Sequence, residues 1–399
     1  MKLMNVVEEA KEKSLNLLKE LSTDRGFIAS SSEFANYKRI WARDSAVASL
    51  AAFASGDNEL IETAKKSIET LIATQDETGR VASNTSFDLN SVSYGTTVGR
   101  IDSTLWFVVI FSQCVLRTGD TAFLKTHRGA VEKALFYLQC LELNGKDLIF
   151  IPQGADWADE YIHEGYILYD QVLYYLALKG AGELFSDNTL LKEKAEKLRN
   201  RILVNYFPKE NNRNNPSVYS SGIFENSFKK YKSPLPIASF TPHSIEYRVD
   251  NFANSLLVLS DILSQEQADE IKQEIFKRYL SSGEKNILPA FDPVIQEGEE
   301  SWNRLRSNYL FEFRNNPFEY HNGGLWPLVT GFFLSSLKGD QQSLAVTGFA
   351  EVLKRDGYIF PEFYNSKTYD FGGIENHAFT ASAYLIAYYS WKDDKQIFL

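Results

Sequence analysis

The chain has 399 residues, of which 44% are hydrophobic and 14% aromatic, a content that excludes intrinsic disorder. Its formal net charge is −10, with 42 basic and 52 acidic residues and no Lys/Arg-rich segment, which argues against a nucleic-acid partner. The two cysteines, Cys114 and Cys140, lie inside helical patterns, so a disulfide framework is not expected.

Apolar residues recur at intervals of three and four along most of the chain, which is the period of amphipathic helices. We find no regular alternation of strand and helix patterns. The periodicity predicts twelve helices, over residues 4–21, 42–55, 58–75, 102–117, 121–142, 166–186, 188–204, 250–264, 266–280, 325–338, 341–355 and 377–391.

The connections between these helices are of two kinds. Short turns, such as residues 55–57 and 118–120, join helices into pairs. Long irregular segments, which are usually functional in a compact domain, follow the pairs. They cover residues 76–101, 143–165, 205–249, 281–324 and 356–376.

Paired helices with short turns at one end and long loops at the other predict an all-α fold, an (α/α)6 toroid of twelve helices that forms a single domain over residues 1–399. Its inner helices line a funnel, and the long loops form the mouth. The alternative is an α-solenoid, which should repeat its sequence at a fixed period. We find no such repeat, and the toroid is favoured.

The N-terminal segment interrupts its apolar residues with Glu and Lys, so no signal peptide is expected. The longest apolar run, residues 105–111, is far shorter than the roughly 20 residues of a membrane span. We expect a cytoplasmic protein with reduced cysteines and no membrane partner. The oligomeric state, monomer or homo-oligomer, is left open.

Five segments combine tryptophan, carboxylates and glycine in a way that a helical core does not require. Aromatic rings cover the flat apolar faces of sugars, and Asp, Glu, Asn, Arg and His hydrogen-bond their hydroxyls. Nucleotide-binding glycine motifs and the H-E-x-x-H motif of zinc proteases are absent. The sequence therefore predicts a carbohydrate site built from residues 39–44, 99–106, 154–160, 320–327 and 360–365.

Asp159 is the predicted general acid. It lies beside Trp157 in an apolar stretch, and a carboxyl held against aromatic rings loses solvation, which raises its pKa. Asp156 remains an alternative acid, and either aspartate is also suited to capping the following helix.

Glu362 is the predicted general base. It follows Pro361 in the loop before the last helix, across the funnel mouth from Asp159. An acid and a base carboxylate with room for a water between them are what inverting glycoside hydrolysis requires. Glu375 is the rival for the base, and otherwise a candidate for substrate contact.

Other residues of these segments are candidates for contact with the sugar. Arg43 and Asp44 are an adjacent donor and acceptor suited to neighbouring hydroxyls, with Trp41 as an apolar wall. Asp102, at the predicted start of a helix, suits substrate contact and helix capping equally. The further candidates are Trp106, Asp156, Trp157, Tyr320, His321, Asn322 and Trp326.

The five histidines show no metal-ligand spacing, and neither a metal nor a cofactor is expected. Arg80 and Arg100 are isolated loop arginines, which are mostly solvated. His243 and His377 keep a second function open, a sugar epimerase or isomerase in which histidines move a proton. A third alternative is a sugar-binding protein without catalytic activity.

Taken together, four motifs resemble those of glycoside hydrolase family 100, the alkaline/neutral invertases, and more distantly the amylo-α-1,6-glucosidase domain of glycogen debranching enzymes. In order and approximate spacing, the resemblance covers about residues 35–392. The motifs are W-A-R-D-S-A-V-A-S-L at 41–50, G-R-I-D-S-T-L-W-F at 99–107, Y-H-N-G-G-L-W-P at 320–327 and P-E-F-Y-N-S-K at 361–367.

The resemblance implies an (α/α)6 barrel that hydrolyses sucrose with inversion, using one Asp and one Glu. By this resemblance the general acid is Asp159 rather than Asp156, the general base is Glu362, and Gln171 is a residue of the substrate site. The chain departs from the family pattern where two arginines after the acid are replaced by residues 160–161, and a helix Glu by Tyr169. These positions shape the sugar subsites, so a glucosyl saccharide cleaved by a debranching or trehalase type of α-glucosidase is the second candidate substrate.

Overall fold

The computed structural model describes residues 2–33, 36–95, 98–143, 145–284, 286–307 and 312–399, with the backbone alone for residues 2–5. These residues form fourteen α-helices: α1 Lys2–Glu20, α2 Ala42–Ser55, α3 Asn58–Ala73, α4 Ile101–Thr118, α5 Thr121–Cys140, α6 Leu168–Leu184, α7 Thr189–Asn205, α8 Ser221–Lys230, α9 Asn251–Leu259, α10 Gln265–Ile275, α11 Glu300–Arg306, α12 Pro327–Ser336, α13 Gly339–Arg355 and α14 Ala378–Lys392.

Six of these helices close into a ring. Helix α2 packs against α4, α4 against α6, α6 against α9, α9 against α12, α12 against α14, and α14 returns to α2. Helices α3, α5, α7, α10 and α13 pack outside α2, α4, α6, α9 and α12 respectively, and α1 packs against α13 and α14. The described helices therefore form an inner ring and an outer layer.

The sequence of each helix explains its layer. In α4 every residue from Ile101 to Val115 is buried, because the helix is largely apolar on all sides and packs between ring neighbours and an outer helix. In α3 the buried apolar residues recur at helical spacing on one face, at Leu60, Ala64, Ile68 and Leu71. Helix α4 is long and apolar enough to cross a membrane, but 83% of it is buried inside the protein.

Each of the twelve predicted helices is present. The largest difference in length is at α9, which ends at Leu259 instead of residue 264. Helix α10 then begins at Gln265, and the side chains of its N-cap residue Ser264 and of Gln267 form a capping box. Helices α8 and α11, inside the long segments 205–249 and 281–324, were not predicted.

The described chain is mostly helical, as expected, and its connections also contain short antiparallel strands of two residues each, which were not predicted. The pairs and triplets are β1 Ser22–Thr23 with β2 Gly26–Phe27; β3 Ile40–Trp41, β4 Asn84–Thr85 and β5 Val92–Ser93; β6 Tyr166–Ile167, β7 Ser239–Phe240 and β8 Ile245–Glu246; β9 Val249–Asp250 with β10 Phe291–Asp292; and β11 Phe363–Tyr364 with β12 Phe371–Gly372.

These strands gather at one end of the ring. Strands β3, β6 and β9 each lead directly into an inner helix, α2, α6 and α9. The segment before α12 joins the same network, since Leu325 bridges to Tyr364 and to Pro289. The strands therefore fix the loops at the N-terminal ends of the inner helices, where the site residues lie.

Candidate active site

A cavity of about 500 Å³ opens among these loops. Its wall contains residues from all five segments that the sequence predicted. The lining residues are Arg100 and selected residues of the segments 36–44, 83–95, 157–160, 312–328 and 362–379. Loops from both halves of the chain thus build one site.

Nine of the predicted site residues line this cavity, and both predicted catalytic carboxylates are among them. The nine are Trp41, Arg43, Asp44, Trp157, Asp159, Tyr320, His321, Trp326 and Glu362. Five others are buried but do not line it: Asp102, Trp106, Asp156, Gln171 and Asn322. Glu375 is exposed outside the lining, and its carbonyl oxygen accepts a hydrogen bond from Ser30.

Asp159 lies in the cavity wall with 20% of its side chain exposed, and it forms an ion pair with Arg100. The same guanidinium also donates to the carbonyl oxygen of Gly154, which fixes it beside the carboxylate. Burial raises the pKa of Asp159, but the positive charges of Arg100, Arg43 and Arg314 outweigh burial and hold that pKa below its usual range. The expected increase in the pKa of Asp159 is therefore wrong in this arrangement.

Glu362 is buried, and the Tyr37 hydroxyl donates to its carboxylate, lying 3.1 Å from Oε1 and 3.2 Å from Oε2. Burial raises the pKa of Glu362 to about 7, although Arg314 and the Tyr37 hydrogen bond lower it. Gly373 is required beside it, because it has a φ of 74° and a Cβ there would lie 2.1 Å from Oε2 of Glu362.

Arg43 is held in the cavity wall by residues behind it. Its Nε donates to Oδ2 of Asp102 at 2.6 Å, and its Nη2 donates to the carbonyl oxygen of Asp156 at 3.3 Å. Tyr169 donates to the same Asp102 oxygen at 3.3 Å and accepts from Trp106 Nε1 at 2.7 Å. Asp102 and Trp106 therefore support Arg43 from behind the cavity wall.

Three further predicted residues hold loop backbone or neighbouring side chains. Asp156 is fully buried and pairs with Nδ1 of His163 at 3.0 Å. Gln171 exchanges two hydrogen bonds with the main chain of Ile149, at 3.0 and 2.9 Å. Asn322 does the same with residue 295, at 2.7 and 2.9 Å. Of the two candidate acids, it is Asp159 that lines the cavity.

An aromatic wall faces the carboxylates. The rings of His321 and Trp326 stack 5.2 Å apart at 16°, and Trp157 meets Trp326 edge-on at 5.6 Å. Burial lowers the pKa of His321 to about 3, so its imidazole is neutral. Gly324 allows this loop to fold tightly, because a Cβ there would lie 2.4 Å from the carbonyl oxygen of Tyr320.

Asp44 adds a polar group to the cavity wall, in the first turn of α2. Burial raises the pKa of Asp44 to about 8, against the opposing charge of Arg43. Its carboxyl is therefore largely protonated at neutral pH, and can donate a hydrogen bond as well as accept one. Within the described part of the protein, Asp44 Oδ1 and His321 Nδ1 are buried atoms without a hydrogen-bond partner.

The two histidines of the isomerase alternative are not brought together. His377 lines the cavity, where its Nδ1 accepts from the main chain of Phe379 at 3.1 Å. His243 is exposed and lines a different cavity. Among the described residues, no group of three or more His, Cys, Asp or Glu could hold a metal ion.

Four of the lining residues that sequence reasoning missed bear on the chemistry of the site. Arg100, expected to be solvated, is paired with Asp159, while Tyr37 and Asn84 lie outside the predicted motifs. Arg314 pairs with Glu160 and lies 4.2 Å from the centre of the Tyr320 ring. Arg100, Asn84 and Arg314 lie in segments recognisable as long loops, but no local motif marks any of the four positions.

The family model "Alkaline and neutral invertase" matches residues 211–392. The predicted resemblance is confirmed. Alkaline/neutral invertase C of Arabidopsis thaliana, a mitochondrial protein, is 25% identical over an alignment that covers 71% of this chain and 47% of that protein. Cytosolic invertase 1 of Oryza sativa subsp. japonica is 23% identical over an alignment that covers 92% of this chain and 74% of that protein. The chain spans about half the length of the first curated invertases that it matches.

Solved structures of several glycosidases share the fold of this chain. The GH63 mannosylglycerate hydrolase of Thermus thermophilus superposes with a TM-score of 0.61 at 13% identity, covering 94% of this chain and 99% of that one. A bacterial glucoamylase reaches a TM-score of 0.64 at 15% identity, covering 97% of this chain and 56% of its own. At these identities the likeness establishes the fold alone, and the substrate has to be inferred from the residues of the site.

Proposed function

We propose that the chain is an invertase-like glycoside hydrolase that cleaves sucrose with inversion of configuration. The observation that carries this proposal is that Asp159 and Glu362, from opposite halves of the sequence, line the same cavity. The matches to named invertases support the substrate, and the aromatic and hydroxyl-binding groups of the cavity support a sugar.

The proposed architecture is a single-domain (α/α)6 toroid over residues 1–399. It is supported by the contact of α14 with α2, which closes the inner ring, and by the likeness to glycosidase structures. The proposed enzyme acts in the cytoplasm on a small saccharide without a cofactor, and Cytosolic invertase 1 is a relative consistent with that location.

In the proposed mechanism, Asp159 gives a proton to the glycosidic oxygen as the bond to the anomeric carbon breaks. Glu362 takes a proton from the water that attacks the same carbon from the opposite face. Tyr37 orients the Glu362 carboxylate through its hydroxyl hydrogen bond. Arg43 and Asp44 offer a donor and acceptor pair for ring hydroxyls in the same cavity.

A second candidate mechanism exchanges the two roles. The ion pair with Arg100 favours an ionised Asp159, whereas burial favours a protonated Glu362, and an acid must carry its proton when the substrate binds. In that version Glu362 protonates the glycosidic oxygen and Asp159 activates the water.

Glucosyl fluoride distinguishes the two assignments, because fluoride leaves without protonation. The variant of the acid should retain turnover of α-glucosyl fluoride while losing sucrose hydrolysis, and the variant of the base should lose both. Retention by Asp159→Asn supports the first mechanism, and retention by Glu362→Gln supports the second.

The substrate is tested by reducing-sugar release from sucrose, trehalose, maltose and isomaltose, with the anomer of the first product followed by NMR. Sucrose cleavage with an inverted product supports the proposal. Cleavage of a different glucosyl saccharide favours the second candidate, an α-glucosidase of debranching or trehalase type. Sugar binding without turnover of any of them would reject hydrolysis.

A further inference from the structure

We propose that one face of the β3–β4–β5 sheet is a sugar-binding wall, in which the Asn84 carboxamide selects a hydroxyl of the substrate. The face consists of Trp41, Asn84 and Ser93, all of which line the cavity. This inference rests on the proposed action on a saccharide, and it adds a specificity-determining residue to that action.

The register of the sheet places the three side chains in one row. Trp41 pairs with Asn84, and Asn84 pairs with Ser93, in an antiparallel arrangement. Directly opposed residues have their Cβ atoms about 4.5–5.5 Å apart and point to the same face. The row therefore presents an indole, a carboxamide and a hydroxyl in sequence.

The neighbouring residues on the same strands point away from the cavity. Ile40 and Thr85 pair with each other, are fully buried, and are absent from its lining. This alternation is that of a strand pair with one face toward the protein and the other toward a ligand. Replacing the row residues thus alters the cavity face of the sheet.

The row is held rigidly. The indole Nε1 of Trp41 donates to the carbonyl oxygen of Asn36 at 2.9 Å. The main chain of Ser83 donates to Ser93 at 2.8 Å and accepts from Ala42 at 2.9 Å, which fixes the backbone next to Asn84. A side chain on such a backbone can recognise a hydroxyl at little entropic cost.

Each end of the row is linked to a residue that contacts one of the two carboxylates. At one end Trp41 lies 6.5 Å, ring centre to ring centre, from Tyr37, which holds Glu362. At the other end Tyr94 follows Ser93, and its carbonyl oxygen accepts from the main chain of Arg100, the partner of Asp159. Because the row and both carboxylates line one cavity, a saccharide bound at the carboxylates lies within the same cavity as this wall.

Asn84 is the residue of the row that needs a ligand. Only 3% of it is exposed, and its Oδ1 lacks a hydrogen-bond partner within the described part of the protein. A buried amide oxygen without a partner costs free energy, which a sugar hydroxyl recovers by donating to it. The amide also carries two N–H donors, so it suits adjacent hydroxyls of a neutral sugar.

The test combines Asn84→Ala with sucrose analogues that each lack one hydroxyl. We expect Asn84→Ala to lower kcat/KM for sucrose by about 10- to 100-fold. The wild-type enzyme should lose a similar factor with one particular deoxy analogue, and the variant should lose little further with that analogue. The combined loss of kcat/KM is then smaller than the product of the two separate losses, from the substitution and from the missing hydroxyl. Such non-additivity indicates a direct contact between the two groups.

Two other variants keep this test informative. Asn84→Leu approximately preserves the shape of the side chain while removing its donors and its acceptor, and should lower kcat/KM without lowering the thermal unfolding midpoint. Asn90→Ala is the matched control, since Asn90 is exposed in the same hairpin and its amide bonds to Asp88 at 2.9 Å. It should behave as wild type.

Wild-type kinetics in Asn84→Ala, or losses that multiply for every deoxy analogue, would overturn the proposal. If the wild-type protein hydrolyses no disaccharide, the proposed function fails separately. The wall is then tested by calorimetric titration of glucose and its deoxy derivatives into both proteins. The same loss of additivity in Kd supports the wall, and equal binding by both proteins rejects it.

Discussion

Removing the hydroxyl of Tyr37 should raise the pKa of Glu362 and shift the pH dependence of catalysis. The hydroxyl lies 3.1 and 3.2 Å from the two carboxylate oxygens and stabilises their negative charge. A hydrogen bond to a charged group contributes about 1.5–3 kcal/mol, and about 1.36 kcal/mol corresponds to one pKa unit. From a starting pKa of about 7, Tyr37→Phe should therefore raise the pKa of Glu362 by at least about one unit.

The direction of the change in rate follows from the role of Glu362. With α-glucosyl fluoride, whose leaving group needs no proton, the rate depends on the ionised base and not on the acid, so kcat/KM rises with pH through the pKa of Glu362, and the variant reaches the same plateau at higher pH. At pH 7 we expect roughly a five-fold lower kcat/KM, from a change in the ionised fraction from about one half to about one tenth. Near pH 9 the two proteins should converge.

The assay is the pH profile of kcat/KM for α-glucosyl fluoride from pH 5 to pH 9. The matched control is Tyr231→Phe, which removes a hydroxyl bonded to the carbonyl oxygen of Pro236, away from both carboxylates. A profile for Tyr37→Phe that coincides with wild type, or moves to lower pH, would refute the reasoning.

Three further predictions concern the same site. Asp159→Asn and Glu362→Gln should each lower kcat for sucrose by several orders of magnitude with an unchanged helical circular dichroism spectrum, and wild-type turnover in either would reject its catalytic role. Arg100→Met should raise the pKa of Asp159, because it removes the nearest positive charge, and an unchanged ¹³C carboxyl titration would contradict this. Asp102→Ala leaves the buried guanidinium of Arg43 unpaired and should lower the free energy of unfolding, measured by urea denaturation, by about 3–5 kcal/mol. A loss below about 1 kcal/mol would mean that solvent or another group replaces the carboxylate.

The helices were predictable because their signals are local. The apolar period runs through α4 almost without interruption, and Gly119, with a φ of 68°, marks its end. Helix α9 was predicted too long because Ile262 and Leu263 continue its apolar period, although both are buried beyond the end of the helix. Packing by the loop and the capping signal at Ser264 outweigh the periodicity there.

The site was predictable where a motif marks it. Asp159 and Glu362 lie in recognisable segments and line the same cavity. The pKa of Asp159 was not predictable from its neighbours, because Arg100 reaches it from another loop. Asn84 could not be found at all, since its position depends on cross-strand register, and Gln171 is a motif residue that contacts backbone instead of the cavity.

The contact of α14 with α2 makes this ring depend on the two ends of the sequence meeting. Such a meeting carries a large loop-closure entropy and is slow to form compared with the local turns between neighbouring helices. During synthesis, a chain that has emerged as far as α9 already contains Asp159, but it has neither Glu362 nor the helix that completes the ring. Catalysis should therefore appear abruptly, once the last helix has docked, and enzymatic activity would serve as a direct readout of complete folding on the ribosome.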